Sequence, residues 1–345
     1  MSQNADPQAF DAVFSILMDD LIVSITLREI AHLGIADLLS DGPKSVSALA
    51  QEVGVQADVL QLFLRLLSSK DIFVETQVGI FDHTERSRCL QADIPGSIRN
   101  FAELLRSEWQ RMSRTPEALT YTLRTGQPAL EHILGESLWS YLTRHPSEYN
   151  TFSKTLTEIS LAQNERMAPA CDLTGLHALV DIGGGEGSFL MALLRLHPET
   201  TGILFDAPPV IEKAQALLAQ SGLTDRCTCI AGDFFQSVPA GGDAYFIKNV
   251  LHDWSDEDCL RILRNCRQAI APTGKLFIIE HILPEPPAKP SPYLAVSVVF
   301  RQLLPGGRQR TVQEFRHLLD NAGFTFVSLT PTSSPNSVLV AEPQD

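Results

Sequence analysis

The sequence predicts a doubly wound, Rossmann-like α/β sheet preceded by a mostly helical winged-helix domain. From about Asp11 to Met167 the apolar spacing is helical almost throughout, whereas after Leu179 short β-branched runs alternate with helical stretches. Within that second part, ALVDIGGGEGSFLMALLRLHP (Ala178 to Pro198) reads as a buried strand, a glycine turn and an amphipathic helix, which is how a parallel βαβ unit begins. A chain of 345 residues with 44% apolar residues can bury two cores, and the boundary is expected near residues 166–176, dividing 1–166 from 167–345.

In the first domain, SVSALAQEVGV (Ser45 to Val55), ADVLQLFLRLLSSKDIFVE (Ala57 to Glu75) and QVGIFDH (Gln77 to His83) spell helix, turn, helix and a small β wing. A DNA-reading second helix would be rich in cations, yet this one offers only Arg65 and Lys70. Its apolar face is built for packing or dimerisation. The segment Phe14 to Leu39 carries more apolar surface than one small domain covers, which an intertwined homodimer would bury.

Charge and cysteines narrow the function classes. With 27 basic against 41 acidic residues, a net charge of −14 and no basic cluster, nucleic acid and anionic membrane surfaces are excluded as partners. The longest apolar runs, such as Tyr293 to Phe300, fall far short of the roughly 20 residues of a membrane span, and the polar, acidic start lacks a secretion signal. The expected location is the cytoplasm. Six cysteines occur without CxxC or HExxH spacing; Cys227 and Cys229 share a strand face and Cys259 and Cys266 lie on a helix, so buried thiols are expected and no metal site.

The glycine turn is the strongest local signal. Gly183, Gly185 and Gly187 give G-x-G-x-G, but Ser188 stands where a dinucleotide fingerprint needs its last glycine, and no Gly-Lys-Ser/Thr follows as in a phosphate-binding loop. The acidic turn, with Asp181 at the strand end, suits a positively charged ligand. TGILFDAPPVI places Asp206, and CTCIAGDFF places Asp233 with Phe234, at the carboxyl ends of the next two strands, where open α/β sheets bind ligands. Asp206 is positioned for ribose hydroxyls, and Asp233 and Phe234 for an adenine edge and face; either Asp alone could instead cap a helix.

LVDIGGGEG, FDAPPVI, GDFF and KNVLHDWSDEDCLRILRNCRQAI resemble the motifs of the caffeate- and hydroxyindole-type O-methyltransferases, over most of the chain. The resemblance implies S-adenosyl-L-methionine as cofactor (S-adenosyl-L-homocysteine as product), a homodimer formed through the N-terminal domain, and a substrate pocket between domains. It implies cofactor contacts at Gly183, Asp206, Asp233, Phe234 and Lys248, beside Asp181 and Gly185 of the turn. The acceptor would be a phenol or enol hydroxyl of a small aromatic or polyketide-like metabolite.

His252 follows the strand AYFIKNVL and precedes a helix begun by Ser255, so it faces the same crevice, and its ordinary pKa near 6.5 suits a general base that deprotonates the hydroxyl. Glu280 ends the next strand, placed to fix the imidazole tautomer. Asp253 either tunes the base or serves the loop backbone, and Trp254 packs the helix start. The related enzymes place a second carboxylate in a segment that reads Gly306-Gly307-Arg308-Gln309-Arg310-Thr311 here. Gln309 can hydrogen-bond the ring but not stabilise imidazolium by charge, so the His252 pKa is expected to sit lower than with two acids, suiting a more acidic acceptor.

Methyl transfer favours a dry apolar pocket over the base. Candidate walls are Trp109, Met112, Phe152, Leu156, Asn249, Phe300, Arg301 and Leu304, from helices before the sheet and from the insertion Ser291 to Pro305, beyond the proline-rich loop Leu283 to Pro292. Asn249 and Arg301 point to a polar or anionic substituent. Two other readings stand beside this one: a relative turned to decarboxylation, hydroxylation or pericyclic chemistry, and a non-enzymatic winged-helix regulator.

Overall fold

The computed structural model describes residues 6–92, 94–285 and 294–344. Most of the proline-rich loop and residues 291–293 of the insertion lie outside them. The chain forms two compact units, Met1–Arg111 with Pro146–Ile159, and Met112–His145 with Ser160–Asp345. They interleave along the sequence instead of meeting once near residues 166–176. The helices Pro116–Thr125 and Ala129–Leu134 pack on the helix Leu294–Leu303, a pairing that local composition does not display.

In the first unit the helix Val46–Val53 starts where the Ser45 hydroxyl accepts from the Ala48 N–H at 3.2 Å and stops at Gly54, whose φ of +72° is left-handed. The helix Ala57–Ser68 and the hairpin Phe73–Gln77/Ile80–His83 follow, and Lys44–Ser45 completes a three-stranded antiparallel sheet. Leu60, Leu64, Leu67, Phe73 and Phe81 close the core between them. Arg65, the one cation on the helix Ala57–Ser68, is bound to Glu75 at 2.8 Å, and Lys70 lies in the turn beyond the helix. The chain before this core is helical from Pro7, with a π-helical turn at Ile16–Asp20, and bears Phe14, Leu17, Met18 and Leu21 in the open; Leu17 is 72% exposed.

The second unit is built on a seven-stranded sheet. From one edge to the other its strands are Phe324–Pro331, Ser337–Pro343, Lys275–Glu280, Ala244–Lys248, Ala178–Ile182, Thr201–Asp206 and Cys227–Ala231. All neighbours are parallel except those involving Ser337–Pro343, which runs against both of its partners. The central strands AYFIK and ALVDI are buried on both faces, the signature of a sheet covered by helices. Order reverses around Ala178–Ile182, which opens a crevice at the carboxyl ends on either side of it. The strand ending in Asp206 has its expected length, but Cys227–Ala231 stops two residues early, so Asp233 lies in the turn beyond it. Cys227, Cys259 and Cys266 are buried free thiols, and burial pushes each up to about 12.

Candidate active site

The glycine turn is shaped by contacts a side chain would forbid. Gly183, at φ +66°, passes Val250 and Phe234: an added Cβ would lie 2.8 Å from Val250 Cγ2 and 3.6 Å from Phe234 Cε1. At Gly187 (φ +83°) it would meet Leu204 Cδ2 at 2.9 Å, whereas at Gly185 it would meet nothing, so the backbone there borders open space. The Gly185 N–H donates to Asp206 Oδ2 at 2.8 Å and the Ala207 N–H to Asp206 Oδ1 at 2.7 Å. Asp206 therefore ties the turn to the neighbouring strand, and burial raises its pKa.

Asp181 is 1% exposed, and neither carboxylate oxygen has a hydrogen-bond partner among the described residues. Burial pushes it up to about 7, against the pull of the Lys248 charge. A buried, unpaired carboxyl group calls for a cation or a donor. Lys248 donates to Ser160 Oγ at 3.1 Å and lies 5.7 Å from the centre of the Phe189 ring; burial lowers its pKa while Asp181 and Glu280 oppose that. Asn164, one turn after Ser160, donates to Ser188 Oγ at 3.1 Å beside the turn. Phe234 packs edge-on to Trp254 at 5.9 Å, and Asp233 is exposed, accepting from the Phe235 N–H at 2.8 Å.

His252 sits in a 3-10 turn, Leu251–Asp253, between the strand Ala244–Lys248 and the helix Asp256–Ala269. Its Nδ1 is 2.6 Å from Glu280 Oε2, while Glu280 Oε1 accepts from the Val250 and His252 N–H groups at 3.1 and 3.3 Å. One buried carboxylate thus fixes both ring and backbone. Nε2 lies 3.5 Å from Asp253 Oδ1, and Phe300 stacks on the ring at 4.7 Å. Burial works against the imidazolium, but Glu280 and Asp253 outweigh it and carry the pKa up to about 9. Asp253 itself is pushed up to about 6 by burial.

The His252 pKa is thus raised above its ordinary value even without an acid at position 309. The acid missing at position 309 does not leave the ring with one carboxylate, because Asp253 supplies a second. Nor does Gln309 bond the ring: its N–H donates to Ser297 Oγ at 3.3 Å, and its buried Oε1 has no partner among the described residues. Sequence reasoning missed the fully buried Arg310. Its guanidinium donates to the carbonyls of Leu251 and Trp254, each at 2.8 Å, and to Asp256 at 2.7 Å, clamping the turn that carries His252. The adjoining motif residues were its only signal; Ser160 and Asn164 had only their i, i+4 spacing on one helix.

The expected pocket walls fall in both units. Trp109, Phe152 and Leu156 belong to the first, where Trp109 is fully buried against Phe152 at 6.3 Å and Leu156 is 46% exposed. In the second, Met112 lines a groove of about 760 Å³ with Tyr121 and His132, Phe300 covers the His252 ring, and Leu304 is buried. Asn249 (φ +54°) accepts from Asn336 at 2.7 Å and Arg301 donates to the Gly126 carbonyl at 2.8 Å, so both polar side chains are engaged by the protein itself.

A glycine turn under a buried acid, beside a carboxylate-held histidine on the adjoining strands, defines a methyltransferase of the Rossmann-like class. Residues 117–325 match the model of the O-methyltransferase domain and residues 16–93 that of the O-methyltransferase dimerisation domain, and the chain belongs to the O-methyltransferase family. It is 37% identical over 322 residues to the phenazine O-methyltransferase PhzM of Lysobacter antibioticus, covering 93% of each chain. With the mitomycin biosynthesis 6-O-methyltransferase of Streptomyces lavendulae it shares 35% identity over 85% of this chain and 82% of that one. Among solved structures it is similar to CalO1, a methyltransferase in calicheamicin biosynthesis in its S-adenosylhomocysteine-bound form, with a TM-score of 0.87 and 30% identity over 99% and 100% of the two chains.

Proposed function

We propose that this protein is an S-adenosylmethionine-dependent O-methyltransferase that methylates a phenol or enol hydroxyl of a small aromatic or polyketide-like metabolite, with His252 as general base. The observation that carries the reading is the ring held at Nδ1 by Glu280 at 2.6 Å, on strands adjoining a turn that leaves the Asp181 carboxyl group unpaired. The names of two relatives, a phenazine O-methyltransferase and a mitomycin biosynthesis 6-O-methyltransferase, support the acceptor class.

The residues at the turn fit the cofactor, since an enclosed, partnerless carboxyl group suits its cationic amino acid end. Asp181, Gly183 and Gly185 would hold that end, with Lys248 nearby, while Asp206, Asp233 and Phe234 would meet the nucleoside. When bound, the cofactor supplies a methyl group made electrophilic by a sulfonium. The protein's own work is at the acceptor. Glu280 keeps Nδ1 protonated, so Nε2 carries the free lone pair and takes the hydroxyl proton; Asp253 beside it stabilises the imidazolium that results. Phe300 covers the ring face and excludes water. With a pKa of about 9 the ring is a strong base that is mostly protonated at neutral pH, so the rate is limited by its neutral fraction.

The matched dimerisation domain, and the open apolar side chains of Phe14, Leu17, Met18 and Leu21, support a homodimer formed through the N-terminal segment. Six free cysteines suit a reducing, cytoplasmic setting. The test is to incubate the protein with methyl-labelled S-adenosylmethionine and a panel of phenols, comparing wild type with His252→Ala. Label on a hydroxyl that disappears in the variant, with S-adenosylhomocysteine affinity retained by calorimetry, is the expected result. Equal labelling by the variant overturns the base assignment, and acceptor turnover without label overturns the activity.

A further inference from the structure

Gln309 stands beside the base without serving it. The Gly306–Gly307 step carries the chain across the histidine turn: a Cβ at Gly306 would lie 2.6 Å from Ser255 Cβ, and one at Gly307 would lie 3.3 Å from the His252 carbonyl oxygen and 3.4 Å from that of Phe300. The Arg308 N–H then donates to the His252 carbonyl at 2.9 Å, and the Gln309 N–H to Ser297 on the helix that lays Phe300 over the imidazole. The flanking cations are spoken for. Arg308 binds Asp256 and Glu314, and Arg310 binds Asp256 and the carbonyls of Leu251, Trp254 and Arg308. Gln309 is 7% exposed, and its enclosed Oε1 finds no donor among the described residues.

A buried amide oxygen without a donor is costly, and a bound ligand that supplies the donor removes the cost. We propose that Gln309 is a specificity residue for the methyl acceptor: its Oε1 accepts a hydrogen bond from a second hydroxyl or amino group next to the hydroxyl that His252 deprotonates. This rests on the O-methyltransferase reading above. The favoured acceptors are then vicinal diols and aminophenols. An amide suits the position better than an acid, because Glu280 and Asp253 already place two carboxylates at the ring and a third would repel the phenolate formed at the base.

The test compares catechol and 2-aminophenol with 2-methylphenol in wild type, Gln309→Met and Gln309→Glu. Wild type is expected to prefer the donor-bearing probes in kcat/KM by roughly tenfold, the factor of one hydrogen bond worth ~1.4 kcal/mol, chiefly through KM. The ratio collapses to about one in Gln309→Met and persists in Gln309→Glu, whose carboxylate also accepts, while calorimetry shows that both variants bind S-adenosylhomocysteine. A preference surviving in Gln309→Met, or both probe classes falling together there, overturns the proposal. A second readout needs no turnover: in the S-adenosylhomocysteine complex of glutamine-labelled protein, catechol shifts the side-chain amide resonance that Gln309→Met lacks, and 2-methylphenol does not. An unmoved resonance overturns the specificity role even where label is transferred, whereas a moved resonance without label transfer overturns the methyltransferase reading instead.

Discussion

Glu280→Gln preserves the shape of the acid that holds the base and removes its charge. In the intact protein the His252 pKa stands at about 9 because Glu280 and Asp253 overcome burial. With the Glu280 charge gone, burial faces Asp253 alone, and the imidazole returns to about 6.5 or below. That is a shift of at least ~2 units, or about 3 kcal/mol at 1.36 kcal/mol per unit, in keeping with the cost of breaking one partner of a buried pair. At about pH 7.5 only ~3% of wild-type rings are neutral, so kcat/KM should climb roughly tenfold per pH unit toward pH 9. The variant should level off near pH 7, on a plateau at least ~100-fold lower, because its ring is a weaker base and the Nδ1 tautomer is no longer imposed. The assay is kcat/KM for labelled methyl transfer between about pH 6 and about pH 10, corrected for acceptor ionisation, beside an NMR titration of the histidine. An acid limb that stays near pH 9 in Glu280→Gln would refute the electrostatic argument. Stability carries the same sign: a pKa raised by folding stabilises fully below about 6.5 and loses that contribution as pH rises through about 9, so only the wild type should lose this increment of Tm over that interval.

Asp181→Asn should weaken S-adenosylhomocysteine binding at least ~10-fold at about pH 8, measured by calorimetry, because it removes the buried charge facing the cationic end. In the wild type, binding should weaken as pH falls below about 7, where Asp181 takes up a proton, and a pH-independent affinity would contradict that placement. Gly187→Ala combines a left-handed backbone with a contact of 2.9 Å to Leu204, and should cost about 1–3 kcal/mol in urea unfolding; an unchanged midpoint would show that the turn relaxes freely.

The parallel sheet was legible because buried β-branched runs, glycine turns and acids at strand ends recur in order, and chain-local signals such as the Ser255 cap record a local necessity. The same logic placed His252 and Glu280 one strand apart. What escaped was long-range. Arg310 acts through carbonyls at Leu251 and Trp254, nearly sixty residues earlier, and backbone acceptors leave no trace in composition. The surroundings of His252 depend on a closeness that the sequence leaves open: Asp253 could tune the ring or serve the loop backbone, and it is the 3-10 turn that brings it against the far side of the ring. The interleaved units were illegible because a helix spells its own periodicity but not the identity of the surface it packs on.

The short parallel ladder between Ile282–Leu283 and Arg310–Thr311 closes the neck of the segment running from residue 284 to residue 309. Its described part is tied to the histidine turn as well, through Phe300 on the His252 ring and the Arg308 N–H on the His252 carbonyl. Because doubling a closed loop costs only ~0.6 kcal/mol, changes of length within it are cheap as long as the neck, Phe300, Arg308 and the Arg310 anchor persist. Length can therefore vary between the neck and the helix Leu294–Leu303 while the hold on the His252 turn is kept.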